Sequence, residues 1–243
     1  MEAAKGNNNR GGSNQSDLSS VVVAAHELKS PLVLMRQLAL DIASGKLSNE
    51  EQRRVVDQLV HVSEKGLRLT SDLTRAEAVQ SVLFDMQPVN AISVCDDVAD
   101  ELAGLYNAHG RSLKRSRIRA LPPVVANRDL LRRILVGFAD NALHYSDIDG
   151  VVELHAQLLR DKKLVRLGVR DYGPALSNKN WRQLVRNLGA TQPVQARPQS
   201  SGLGLYIAHQ FAVSMNGRIG AVRHRDGASF YVELPISQQL TLL

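Results

Sequence analysis

The chain has 243 residues, 44% of them apolar, a net charge of +6 and a pI of about 9.7, enough for two modest domains with packed cores. Aromatics make up only 4%, which argues against base-stacking platforms, and the densest basic run, Arg111 to Arg119, has no reader motif beside it, so no nucleic-acid partner is expected. With Cys95 as the single cysteine, no signal-peptide layout and no apolar run near the roughly 18 residues of a membrane span, a soluble, cytoplasmic chain without disulfides is the expectation.

Residues 1–16, rich in Asn, Gly and Ser, read as a flexible lead-in. Asp17 or Ser19 can cap a first helix that runs to about Ser44, along which Val21, Ala25, Leu28, Leu32, Met35, Ala39 and Ile42 recur at steps of four and three. That spacing is the seam of a helix made to pack against other helices. Within it lies His26-Glu27-Leu28-Lys29-Ser30-Pro31-Leu32. His26 falls one residue past a seam position, at the edge of the packed face, and Pro31 removes a backbone donor and bends the helix about one turn later. A titratable ring, a carboxylate and a kink point to chemistry, although these residues alone also fit a surface His beside a surface Glu.

Gly45-Lys46-Leu47 breaks this helix, and Ser48 with Glu51 forms a capping box for a second one. Its seam is Val55, Leu59, Val62, Gly66, Leu69, Leu73 and Ala76. Residues 17–80 therefore predict an antiparallel helical hairpin. A lone hairpin has too little partner surface, so pairing into a four-helix bundle, as a homodimer, is expected. Residues 81–90, with Pro88, read as a hinge into a second domain over 91–243. There the pattern predicts a helix from Ala91 to Asn107, with Cys95 in its apolar face, a basic turn and weak strand over 110–120, and a helix from about Arg128 to His144. Strands follow at Val151 to Leu158 and Leu164 to Arg170, paired through Asp161-Lys162-Lys163. A loop-rich stretch over 174–200 holds a short helix near Trp181, and a helix from Leu203 to Met215 precedes strands at Arg218 to Arg223 and Ser229 to Leu234. The fold class is α+β: a helical hairpin, then a sandwich of a mixed sheet with helices on one face.

Three motifs in the second domain carry chemistry: Asn141-Ala142-Leu143-His144-Tyr145-Ser146 at a helix end, Asp171-Tyr172-Gly173 at a strand end, and Ser200-Ser201-Gly202-Leu203-Gly204-Leu205 at a helix start. Glycines opening a helix let backbone N–H groups approach phosphate oxygens. A strand-end carboxylate can accept from an exocyclic amine, and a side-chain amide can hold a Mg²⁺ that bridges phosphates. Singly each motif is commonplace, and a strand-end Asp is more often a turn former.

In this order behind the His26 segment, the motifs resemble the boxes of two-component sensor histidine kinases, over residues of about 17 to 237. The resemblance implies ATP-dependent autophosphorylation of His26 and transfer of the phosphoryl group to an Asp on a response regulator receiver domain. It implies that Glu27 orients the imidazole, and that Ser30 stands where Thr or Asn positions a water for phosphatase action. Nucleotide binding would fall to Asn141, His144, Tyr145, Asp171, Gly173, Gly202, Leu203, Gly204 and Leu205. Asp171 would take the adenine amino group, and Asn141 would be the metal ligand for Mg²⁺.

The chain also departs from the family pattern. Gly137 stands four residues before Asn141, where another polar group is common; His144 replaces a usual Lys; and Ala175 replaces the second glycine after Asp171. Residues 178–199 show no clear match to the phenylalanine box, and Trp181 is a candidate for its packing role. These losses motivate a slow or specially regulated kinase. The alternative is a degenerate relay or scaffold that docks a response regulator without turning over ATP.

Overall fold

The computed structural model describes residues 13–78, 85–116, 120–146, 150–174, 177–186, 188 and 203–238; for residues 13–27, 65, 75–78, 144, 145, 162 and 203 only the backbone is described. The chain divides into two compact units, the first ending at Arg75 and the second starting at Ala76.

The first unit is a hairpin of α1 (Ser13–Ala43) and α2 (Asn49–Ala78). α1 begins ahead of both expected caps, because Ser, Gln and Asp each cost less than about 0.7 kcal/mol inside a helix and do not oblige a start. Residues 13–16 of the expected lead-in thus belong to α1, and residues 1–12 lie outside the described residues. The helix carries Pro31 in its interior, where the ring leaves the carbonyl four residues back without its helical donor. At the start of α2 the capping box is made: Ser48 N–H donates to Glu51 Oε2 at 2.9 Å, and Glu51 N–H to Ser48 Oγ at 3.3 Å.

Among the described side chains of the hairpin Leu38 and Val62 are buried, and Gly66 stands against Pro31. Leu38 lies off the expected seam of α1, whereas Leu32, on that seam, is 59% exposed. Two helices cover only one flank of each other. Val33 and Leu40 on α1, with Val56, Val60 and Leu67 on α2, remain exposed as well.

The second unit holds a five-stranded sheet in the order β2-β4-β5-β7-β6. Its strands are β2 (Ser112–Arg115), β4 (Val151–Leu159), β5 (Leu164–Asp171), β6 (Arg218–His224) and β7 (Gly227–Pro235). β2 runs parallel to β4 and the other pairs are antiparallel, so the sheet is mixed. Alternation divides the faces. Val152, Leu154, Val165, Leu167, Val169, Val232 and Leu234 are buried on one face. Helices α3 (Ala91–Ala108), α4 (Arg128–Tyr145) and α6 (Leu203–Ser214) supply the matching core, including Val94, Cys95, Leu102, Ile134, Leu135, Phe138 and Phe211. Burial pushes the Cys95 thiol up to about 12, consistent with a packing residue. The short helix α5 (Asn178–Arg186) includes Trp181, half-buried, and buries Leu184.

The opposite face is polar but filled by its own side chains. Two glycines make room for rings: a Cβ at Gly168 would lie 2.7 Å from the His155 ring, and one at Gly220 would strike Tyr231. Burial lowers the pKa of His155. Glu233, 1% exposed, accepts from Arg166 and Arg218 at 2.5 Å each. Burial there raises its pKa, but the two guanidinium groups outweigh it and hold the carboxyl below its ordinary value.

A second, two-stranded sheet was not anticipated: β1 (Gln87–Val89) pairs with β3 (Val124–Ala126). β1 falls in the segment expected as a hinge, of which residues 81–84 lie outside the described residues. Three-residue strands beside Pro88 and Pro122-Pro123 carry too little alternation to stand out as strands. Val89, Val124 and Ala126 are nonetheless buried.

Candidate functional site

Asp171 closes β5 directly opposite Ala228 of β7. Its Oδ1 accepts two backbone N–H groups, from Gly173 and from Ala228, each at 3.2 Å. The first bond is an Asx turn that leads the chain out of the strand. The second fastens the carboxylate to the neighbouring strand, so a carboxyl only 3% exposed is held by polar partners. Gly227 makes the approach possible. Its φ is +130°, and a Cβ there would lie 2.7 Å from Asp171 Oδ1 and nearer still to the Asp171 carbonyl oxygen.

On the other face, Arg170 pairs with Asp226 in the β6–β7 turn at 2.6 Å and lies 4.5 Å over the Tyr172 ring. The Tyr172 hydroxyl in turn donates to Glu153 at 3.1 Å. Residues on both sides of Asp171 are therefore fixed.

α4 begins on Asn127, whose side chain accepts from Leu130 N–H at 3.1 Å. Its apolar stripe is buried through Leu131, Ile134, Leu135, Phe138 and Ala142, while Gly137 and Asn141, one turn apart, share a half-buried flank. A Cβ at Gly137 would meet nothing within 4 Å among the described residues, so there is space at this point of the flank. Two side chains anchor the later turns of α4: the Tyr106 hydroxyl donates to the Ala139 carbonyl at 2.7 Å, and Arg111 donates to the Ser146 carbonyl at 2.8 Å. Burial foremost, then the charges of Asp140 and Asp171 against that of Arg111, raise the pKa of Tyr106 and keep its phenol protonated.

Of the sequence-derived residues, Asn141, Asp171 and Gly173 lie in this unit, on α4 and at the end of β5. His144 and Tyr145 close α4, with backbone alone described, and Leu203 opens α6 in the same way. Gly204 is exposed in the first turn of α6 and Leu205 is buried, where α6 packs on α4. Gly202 and Ala175 lie outside the described residues. His26 and Glu27 are on α1, their side chains not described, and Ser30 is exposed on the same helix. Among the described residues no group of three or more His, Cys, Asp or Glu is placed to hold a metal ion, and no helix is long and apolar enough to cross a membrane. The parts that sequence reasoning missed are the clamps on the site: Ala228, Gly227, Tyr106 and Arg111. Only Asp226-Gly227 carried a signal, that of a hairpin turn.

The basic run is also accounted for in part. Arg115 pairs with Asp96 of α3, and from α4 Arg128 and Arg132 pair with Asp97 and Glu101 at 2.5 and 3.3 Å.

Residues 126–238 match the family of histidine kinase-, DNA gyrase B- and HSP90-like ATPases. The adaptive-response sensory kinase SasA of Synechococcus sp. (strain CC9902) is 27% identical over 218 residues, 89% of this chain and 56% of that protein. Together these matches support a sensor histidine kinase transmitter core. The chain spans about half the length of the curated kinases it matches. In fold, the chain is similar to full-length ShkA in complex with AMPPNP, with a TM-score of 0.60 at 24% identity, covering 94% of this chain and 47% of that one. It is likewise similar to histidine kinase ThkA in complex with the response regulator TrrA, with a TM-score of 0.62 at 15% identity, covering 91% and 61%.

Proposed function

We propose that this transmitter core transfers the γ-phosphoryl group of ATP to His26 and then to an aspartate of a response regulator receiver domain. The observation that carries the reading is the Asp171 clamp. A buried carboxylate, fixed through one oxygen by two backbone donors, is oriented in advance to accept from an exocyclic amine. On α4, the space that an added Cβ at Gly137 would find among the described residues, one turn before Asn141, supports a ligand along that flank. His144, Tyr145, Gly173, Gly202, Leu203, Gly204 and Leu205 complete the proposed nucleotide site.

In the proposed reaction a ring nitrogen of His26 forms a bond to the γ-phosphorus while the bond to the β–γ bridging oxygen breaks and ADP leaves. Glu27 orients the imidazole and takes the proton from its other nitrogen. Asn141 is the group on this chain that fits a Mg²⁺, which is commonly bound through one or two protein groups plus phosphates and would neutralise their charge. Ser30 has a hydroxyl suited to positioning a water that hydrolyses the phosphoaspartate of the receiver domain, releasing inorganic phosphate. Gly137 offers no ligand, and the exchange of Lys for His144 makes a charge near the phosphates pH-dependent, so the kinase is slow.

The exposed apolar residues of the hairpin support a homodimer joined through a four-helix bundle: Leu32, Val33, Leu40, Val56, Val60 and Leu67 would be covered by a second copy. The ThkA complex supports a response regulator as partner. A cytoplasmic location fits both ATP and such a partner.

Incubation with γ-labelled ATP and Mg²⁺ labels the chain in an acid-labile bond, and His26→Gln loses the label. Label that survives this substitution removes His26 as the acceptor. No detectable binding of Mg-ATP by the wild-type chain would favour the scaffold instead.

A further inference from the structure

The net charge of +6 is not spread along the chain. Residues 172–225 hold seven Lys and Arg and no Asp or Glu, so the remainder of the chain nets −1. Six of the seven lie among the described residues: Lys179, Arg182 and Arg186 on α5, Arg218 and Arg223 on β6, and Arg225 in the turn that follows. All six are exposed. Arg218 stands beside an acid, Glu233. Asp226, next to Arg225 in sequence, is engaged by Arg170. Lys179, Arg182, Arg186, Arg223 and Arg225 form no ion pair among the described residues.

The fold gathers these five together. β6 is the edge strand of the sheet and α5 lies against it, with Arg223 donating to Asn178 Oδ1 at the start of α5. Arg225 follows in the turn that β6 enters. Lys179, Arg182 and Arg186 recur at steps of three and four, so they share one side of the helix over about 10 Å of its length. Leu184, on the other side, is buried, which fixes the side turned to solvent. Val185 lies between Arg182 and Arg186 on that outward side and is 46% exposed.

We infer that the outward side of α5, with Arg223 and Arg225 at its start, is a docking surface for an acidic segment of a partner protein. Cations that find no acid within the chain attract an anionic partner and speed its arrival. Two features favour a protein over a nucleic acid or a lipid surface. The valine among the cations can meet an apolar side chain, which a phosphate backbone does not offer, while Trp181, the one aromatic of α5, is half-buried rather than presented for a base to stack on. A helix of nine residues whose outward side carries one valine buries too little apolar area to hold a bilayer. The surface belongs to the second unit and needs neither nucleotide nor His26.

Binding to the full chain tests this with three probes: a labelled, end-blocked acidic peptide of Glu-Glu-Leu repeats and an oligothymidylate of equal charge, both followed by fluorescence anisotropy, and phosphatidylserine vesicles followed by co-sedimentation. The peptide is expected to bind the wild type more tightly than the other two, with an affinity that falls as salt rises. The combined variant Lys179→Glu, Arg182→Glu and Arg186→Glu should bind it at least about tenfold more weakly. Val185→Ser should weaken the peptide by about twofold to fivefold and leave the oligothymidylate unaffected. A control with the same change of charge at exposed positions elsewhere, Lys46→Glu, Arg53→Glu and Lys114→Glu, should stay within about twofold of the wild type. The replaced side chains are exposed, so melting temperatures should hold; if the Glu variant melts early, the corresponding Gln variant carries the comparison. The inference falls if the wild type does not bind the peptide, if the control loses as much affinity as the α5 variant, or if Val185→Ser binds the peptide as the wild type does. Tighter binding of the oligothymidylate or the vesicles overturns it in favour of a nucleic acid or a lipid surface.

Discussion

Replacing Asp171 by Asn and by Ala separates what the carboxylate does for the fold from what it does for a nucleotide. Its Oδ1 accepts from Gly173 and Ala228 at 3.2 Å each. An Asn keeps an oxygen in that place, so both bonds survive, but they lose the assistance of a full charge. Charged hydrogen bonds are roughly twice as strong as neutral ones, and at this length the loss comes to about 1–2 kcal/mol in total. An Ala instead leaves two backbone donors buried without an acceptor, at about 1–3 kcal/mol each, or about 2–6 kcal/mol together. In a unit of this size each kcal/mol moves the melting temperature by about 2–4 °C. Calorimetric melting should therefore rank wild type, Asn and Ala in that order, with Ala clearly the least stable. Titration with Mg-ATP should show binding lost in the Asn variant although its fold is kept, because an amide nitrogen in place of a carboxylate oxygen meets the exocyclic amine donor to donor. Equal melting of the two variants would refute the energetic argument, and ATP binding by Asp171→Asn at wild-type affinity would refute the site.

Gly227→Ala should destabilise the second unit by about 2–6 kcal/mol, since it combines a backbone conformation near φ +130° with a Cβ driven against Asp171; a urea midpoint unchanged from the wild type would count against the close approach. Gly66→Ala should stabilise the hairpin by up to about 1 kcal/mol, because its Cβ would make ordinary contacts 3.8–3.9 Å from Pro31 and Met35 while helix propensity rises; a loss of stability in denaturant unfolding would show that α1 and α2 leave no such room. Stability should fall in two stages on acidification. His155 has a pKa below its ordinary 6.5, so the unfolded chain takes up a proton first and stability declines as pH drops from about 6.5; Glu233, held below its ordinary 4.5, contributes stability above that value and loses it as pH falls through its lowered pKa. Urea unfolding across pH should lose the first stage in His155→Gln and the second in Glu233→Gln, and unaltered profiles would sink both assignments.

Much of the fold was legible because it rests on periodicity. The steps of three and four in α2, the alternation in β4, β5 and β7, and the Ser48–Glu51 pair each state a local preference that tertiary packing left in place. Reading failed where elements are too short to be periodic, as for β1 and β3. It also missed Leu38, which lies off the expected seam of α1 and is buried. At the site, Asp171 and Asn141 could be chosen from motif and residue chemistry. The hold on them could not, since Asp171 and Ala228 are 57 residues apart and Arg111 and Ser146 are 35 apart.

The arginines that face α3 change what the high isoelectric point means. Arg115, Arg128 and Arg132 each stand beside an acid of α3, two of them reaching across from α4. Exposed pairs of this kind add little to stability. Their larger effect is on range: each pair is a short dipole, whose pull on a distant polyanion dies away within a Debye length, about 8 Å in physiological salt. Along this flank the positive charge of the arginines is balanced locally by the acids of α3.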